Sequence, residues 1–158
     1  METGVKRNTK RVGDISELRV MMALVSVGYR VAIPFGEDQR YDLIIEKDNV
    51  LSRVQVKTGR LRRGAIFFNC TSSHVHRGGT RKMYVGEVEY FGVFCPDNDS
   101  TYLLPIDEIL VQEGVLRVLP PKNGQIKGLR WADRYLLQHG RETARPRSTV
   151  PEQLQMPS

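Results

Sequence analysis

The chain has 158 residues, of which 40% are hydrophobic and 27% charged, with a formal net charge of +6 and a pI near 9.5. No apolar run approaches the length of a membrane-spanning helix, and the N-terminal METGVKRNTKR lacks the apolar segment of a signal peptide, which argues against a membrane or exported protein. One cytoplasmic domain with a sizeable core and a polyanionic partner is expected, with Cys70 and Cys95 as reduced core residues in apolar surroundings.

Residues 1–12 read as a basic arm carrying Lys6, Arg7, Lys10 and Arg11, able to touch phosphates or merely to solubilise. A helix is predicted from Ile15 to Val27, because Ile15, Leu18, Met22 and Val25 recur on one face and Gly28 supplies a stop. With Asp14 as N-cap, Glu17 falls where it would close a capping box. Tyr29 to Ile33 reads as the first strand, ended by Pro34 and Gly36. The following PFGEDQR holds Glu37, Asp38 and Arg40; solvation suits the two acids, and any of the three is placed to orient a nearby site.

RYDLIIEKDNVLSRVQVK, residues 40 to 57, is the most informative stretch. Two alternating runs flank Lys47-Asp48-Asn49, and Asp and Asn tolerate the left-handed backbone of a tight hairpin turn. With Asp48-Asn49 at the turn, Lys47 faces Val50, Glu46 faces Leu51, Ile44 faces Arg53, and Asp42 falls opposite Gln55. Alternation then puts Leu43, Ile45, Val54 and Val56 on a core face, and Asp42, Gln55 and Lys57 together on its back. An exposed sheet face with an ordinary Asp/Lys pair would satisfy the same pattern.

Beyond the hairpin, TGRLRRGA sets Arg60, Arg62 and Arg63 directly after Lys57, suited to phosphate or groove contacts, or to a solvated basic turn. Ala65 to Cys70 is predicted as a strand. CTSSHVHRGGTRK reads as a polar loop in which His74, His76 and Arg81 suit DNA contact or plain loop polarity; zinc is disfavoured because no third ligand has a recognisable spacing. Val88 to Cys95 and Thr101 to Leu104 form a second hairpin around PDNDS, followed by a short helix from Pro105 to Val111. The pattern weakens from Leu116. KGLRWADRYLLQ, residues 127 to 138, is read as a helix burying Leu129, Ala132 and Leu136, with Trp131 in the core or an interface. Residues 141 to 158 are too polar and proline-rich to order themselves, and no internal repeat or second domain is present within 13–140.

Asp42 followed by Gln55-Val56-Lys57 on the next strand resembles the PD-(D/E)XK nuclease superfamily, in the variant where Gln replaces the second acid. GDISEL, VGYRVAIPFGEDQRYDLII, RVQVK and FGVFCPDNDSTYLLPIDE extend the likeness to the small group I intron homing endonucleases of cyanobacterial type. Tyr41 stands where the superfamily's name has Pro. The resemblance implies an α/β, restriction-endonuclease-like core: a central mixed sheet flanked by helices. It also implies a Mg2+ site, open to Mn2+, held by Asp42, Glu17, Gln55 and the Val56 carbonyl, with Lys57 acting on the attacking water. Double-stranded DNA would be the substrate and a homo-oligomer, dimer or tetramer, the working form. The competing readings are a resolvase of Holliday junctions or a restriction-type nuclease on the same fold, and an inert DNA-binding protein, for which Gln55 is the argument.

Overall fold

The computed structural model describes residues 8–72 and 82–138. Lys6, Arg7, His74, His76, Arg81 and the tail beyond 138 lie outside the described residues. Helix α1 (Thr9–Ser26) is followed by β1 (Arg30–Ala32), β2 (Leu43–Lys47), β3 (Val50–Thr58), β4 (Arg60–Arg62), β5 (Ala65–Asn69), β6 (Tyr90–Cys95), β7 (Ser100–Pro105) and β8 (Glu113–Arg117). Two 3-10 turns, Ile106–Glu108 and Ala132–Tyr135, stand where helices over 105–111 and 127–138 were predicted. Of the residues expected to be buried by the second, Ala132 is buried and Leu129 and Leu136 are half-buried; Trp131, at 36% exposure, is not a core residue.

The central sheet has the order β1-β2-β3-β6-β7 and is mixed: β3 and β6 run parallel while the other pairs are antiparallel. A second, antiparallel sheet has the order β4-β5-β8. Alternation along β6 gives the central sheet two apolar faces, the first of them continued by β3. One carries Val54, Val56, Tyr90 and Phe94 and packs on Val20 and Leu24 of α1; the other carries Phe91, Val93 and Cys95 and packs on Ile66, Phe68 and Leu116 of the small sheet. The expected restriction-endonuclease-like α/β core is present. One helix covers one face, and a sheet rather than a further helix covers the other.

Helix α1 starts earlier than predicted. Asn8 is its N-cap, its Oδ1 accepting from the Arg11 N–H at 3.2 Å, so Lys10 and Arg11 belong to the first helical turn rather than to an arm. The C-terminus follows the predicted stop. Gly28 adopts φ +95°, its N–H reaches the Val25 carbonyl at 3.1 Å, and the Tyr29 N–H reaches that of Leu24 at 3.0 Å, the two bonds of a Schellman motif.

The buried face of α1 is opposite to the one expected. Ser16, Val20 and Leu24 face the sheet, while Ile15, Leu18, Met22 and Val25 are 44–63% exposed. This helix is apolar on both sides, so periodicity could not choose between them. The choice is made by fit: Ser16 is buried because its Oγ donates to the Val12 carbonyl at 3.0 Å and lies 2.6 Å from Oγ1 of Thr58, and Val20 rests on Gly92.

A Cβ on Gly92 would lie 2.7 Å from Cγ1 of Val20 and 3.2 Å from Cγ1 of Val54. Valine χ1 is stiff in helices, so Val20 cannot swing aside, and Gly92→Ala should destabilise the fold by about 1–3 kcal/mol. Urea midpoints should also show partial recovery in Gly92→Ala/Val20→Ala. Equal midpoints for wild type and Gly92→Ala would show that the helix seat is looser than described.

Candidate active site

The β2–β3 hairpin assembles the polar cluster in the register expected from the sequence. Ile44 pairs with Arg53, Glu46 with Leu51 and Lys47 with Val50, and both turn residues are left-handed, Asp48 at φ 52° and Asn49 at φ 62°. Leu43, Ile45, Val54 and Val56 are buried beneath α1. Asp42 lies just before β2, its N–H donating to the Val54 carbonyl at 2.9 Å. Its Oδ2 accepts two bonds of 2.7 Å, from the Val56 N–H and from Nε2 of Gln55. The Gln55 amide also lies 3.5 Å from the Val56 carbonyl oxygen.

Lys57 projects from the same face of β3 and is anchored by other groups. Its Nζ donates to the Thr71 carbonyl at 3.1 Å and to Oη of Tyr84 at 3.3 Å, and it stands 4.7 Å from the Tyr84 ring centre. Arg40 approaches the same ring at 4.5 Å while its Nε donates to Glu87 at 2.6 Å, so of the three charged residues in PFGEDQR it is the one joined to the site's framework. Tyr84 was missed by sequence reasoning. It stands among charged residues in KMYVGEVE, where nothing in the spacing separates a site aromatic from a core one.

Glu17 enters from α1. Asp14 lies inside the helix and is not its cap, so the capping-box role for Glu17 is removed. The neighbouring Ser16, bonded to Thr58 one residue after Lys57, fixes this turn of α1 against β3. Burial raises the Glu17 pKa, and the charges of Asp42 and then Asp14 raise it further. Burial also raises that of Asp42, against the opposing effects of the Val56 N–H, Lys57 and Gln55. Burial holds the Lys57 ammonium below its ordinary value, partly offset by Asp42. Cys70 and Cys95 are buried free thiols, and burial pushes Cys70 up to about 11, which makes it inert.

Two partly dehydrated carboxylates that repel each other favour a divalent cation between them, and the accompanying amide and carbonyl oxygens make a hard donor set suited to Mg2+. Among the described residues no group of three or more His, Cys, Asp or Glu side chains gathers to hold a metal, so the non-carboxylate oxygens of Gln55 and Val56 would have to complete the set. Gln55 now turns its nitrogen toward Asp42. Rotating the amide would present Oε1, an arrangement of facing oxygens that only a cation makes favourable.

The family description of PD-(D/E)XK endonucleases matches residues 7–138. The chain belongs to the PD-(D/E)XK endonuclease family. A bacterial homing endonuclease, I-Ssp6803I, has a similar structure, with a TM-score of 0.66 and 20% sequence identity over 82% of this chain and 89% of that one. No curated protein sequence matches significantly.

Both site carboxylates titrate at higher pH folded than unfolded, so the cost of their charge is full above the raised values and is relieved as pH falls through them. Metal-free Asp42→Asn should therefore unfold at a higher denaturant concentration than wild type at pH 7–8, with the gap closing as pH is lowered toward 4. A less stable Asp42→Asn across this range would mean that the two bonds to Oδ2 outweigh the burial of the charge.

Proposed function

We propose that the chain is a Mg2+-dependent endonuclease that hydrolyses phosphodiester bonds in duplex DNA at specific sites, as a homing-type enzyme; Mn2+ is expected to substitute. The observation that carries this reading is the convergence of Asp42, Gln55 and the dehydrated Lys57 on one face of β2–β3, with Glu17 electrostatically coupled to Asp42. Asp42, Glu17, Gln55 and the Val56 carbonyl would hold the metal. When bound, it would supply charge stabilisation at the phosphate and lower the pKa of a bound water.

The protein's own residues do the rest. An ammonium has three N–H donors; two of those on Lys57 are engaged by Thr71 and Tyr84, leaving one for the attacking water or a phosphate oxygen. The water oxygen forms a bond to phosphorus as the bond to the 3′ oxygen breaks; the water gives up a proton to the surrounding solvent and the 3′ oxygen takes one from it. Arg60 and Arg62 on β4, Arg63 at its turn, and Lys10 and Arg11 on the first turn of α1 would contact DNA. Lys10 and Arg11 sit at the positive end of a helix dipole with no acid in that turn, a placement that favours an anionic partner.

Homo-oligomerisation remains part of the reading, because one site cuts one strand. The second hairpin offers little free surface for it, since β6 and most of β7 are buried in the sheet. The exposed face Ile15, Leu18, Met22 and Val25 of α1 is the better candidate. Light scattering at micromolar concentration should give a dimer or tetramer for wild type and a smaller species for Leu18→Glu/Met22→Glu. A wild-type monomer that makes double-strand breaks would overturn this.

Plasmid nicking tests the chemistry. Wild type should nick only with divalent metal, and Lys57→Ala or Asp42→Asn should lower the rate by at least about 10²-fold with DNA affinity largely retained. Gln55→Glu should keep metal binding with reduced activity. Metal-dependent cutting by Asp42→Asn at the wild-type rate would sink the assignment, and no cutting of any duplex by wild type would favour the inert DNA-binding reading. Preferential cleavage of four-way junctions over linear duplex would favour the resolvase.

A further inference from the structure

A second basic feature lies on the small sheet. Strands β4 and β5 are joined by Arg63-Gly64, flanked by the Arg62–Ala65 pair, and both turn residues are left-handed, Arg63 at φ 48° and Gly64 at φ 72°. Asn-Gly is the ordinary solution for such a turn; an arginine at its first position is held there against its backbone preference. The segment after β8 is bound onto this turn, for the N–H groups of Val118 and Leu119 both donate to the Gly64 carbonyl, at 2.9 and 3.0 Å.

Between the turn and that segment lies a cleft of about 830 Å³ lined by Arg63, Arg117, Lys122 and an apolar wall of Leu119, Pro120 and Pro121. No acid lines it. Arg117 is set in place, since its Nε and Nη2 both donate to the Leu119 carbonyl, at 3.1 and 2.7 Å, leaving Nη1 for another acceptor. None of the ion pairs among the described residues involves Arg63, Arg117 or Lys122. The nearby Glu113 lines a separate hollow with Arg62, Arg63 and Phe67. Three cations with no ion-pair partner around one cleft leave a charge that an anion would neutralise.

We infer that the Arg63–Arg117–Lys122 cleft is a subsite for a backbone phosphate of duplex DNA, separate from the catalytic centre. The inference rests on the endonuclease reading for its ligand. Its position along the DNA is bounded by the chain: Gly59 alone separates β3 from β4, so six residues lead from Lys57 to Arg63. Six extended residues reach at most about 20 Å. That distance is between backbones; with the reach of the two long side chains added, the gripped phosphate lies within about one helical turn, ~10 base pairs, of the scissile one. The cleft would thus add a sequence-independent anchor that sets how far the protein sits from the cut.

The test is binding of a labelled 40-base-pair duplex, without metal, as a function of salt. Arg63→Asn keeps a residue that tolerates the left-handed turn, and Lys122→Gln keeps an unbranched polar side chain at an exposed position, so both should leave the melting temperature near wild type. The cleft holds one phosphate, so each change should take part of about 0.9 off the slope of log affinity against log salt, and the two together should remove about 0.9. Arg117→Ala should act likewise, but it also removes the bonds to Leu119 and is secondary. Lys127→Ala, outside the cleft, is the control. Unchanged slopes for Arg63→Asn and Lys122→Gln, or an equal drop for the control, would overturn the subsite. Because no cleavage is measured, this result stands apart from the plasmid assay that decides the endonuclease reading.

Discussion

Everything at the centre of this protein depends on one oxygen. Oδ2 of Asp42 accepts from the Val56 N–H and from the Gln55 side chain at 2.7 Å each, so a carboxylate one residue ahead of β2 is fixed to a point near the end of β3. That contact exists only in one hairpin register, because a slip by one residue would exchange Asp42, Gln55 and Lys57 with the apolar set beneath α1. The register is in turn held by the left-handed Asp48-Asn49 turn at one end and by the burial of Leu43, Ile45, Val54 and Val56 along its length. Geometry at the site is therefore inherited from apolar packing on the reverse face of the same two strands.

The electrostatics run against stability. Two carboxylates with raised pKa values and a lysine with a lowered one share a partly dehydrated region, and each would be better solvated elsewhere. The frame around them is correspondingly strong. Tyr84, Thr71 and Arg40 hold Lys57 and its surroundings, Glu87 ties Arg40 to Lys82, and Ser16 with Thr58 seats α1. Such an arrangement suits a site completed by positive charge, where repulsion in the free protein becomes attraction for a ligand.

Legibility from sequence followed the range of the interactions. The β2–β3 hairpin could be written down pair by pair, since its turn chemistry and two-residue period are local. The seat of α1 could not, because both of its faces are apolar and the decision lies with Gly92 and Thr58, distant in the chain. Strand β8 went unseen: only five residues long, it owes its existence to β5. Arg60 and Arg62 looked like a turn because charged residues hide strand character, yet Leu61 between them packs inward against the core. Glu17 carried two readings, a capping-box acid after Asp14 and, by resemblance, a site acid, and the N-cap at Asn8 removes the first.

Among the described strands β3 with β6 is the one parallel pair, which has a bearing on how the chain reaches its fold. The β2–β3 hairpin needs only its own neighbourhood and can form in about 1–10 μs. Its union with β6 is not local, as the Arg53–Glu89 clamp spans 36 residues, and β4 and β5 lie within that span. Until the loop closes, Tyr90–Cys95, buried at every position in the finished sheet, has no partner on its β3 side. A long-lived opening there exposes an apolar strand edge, the kind of surface through which partly folded chains associate. Changes in the basic insert between β3 and β6 thus bear on the yield of soluble protein as well as on the proposed grip on nucleic acid.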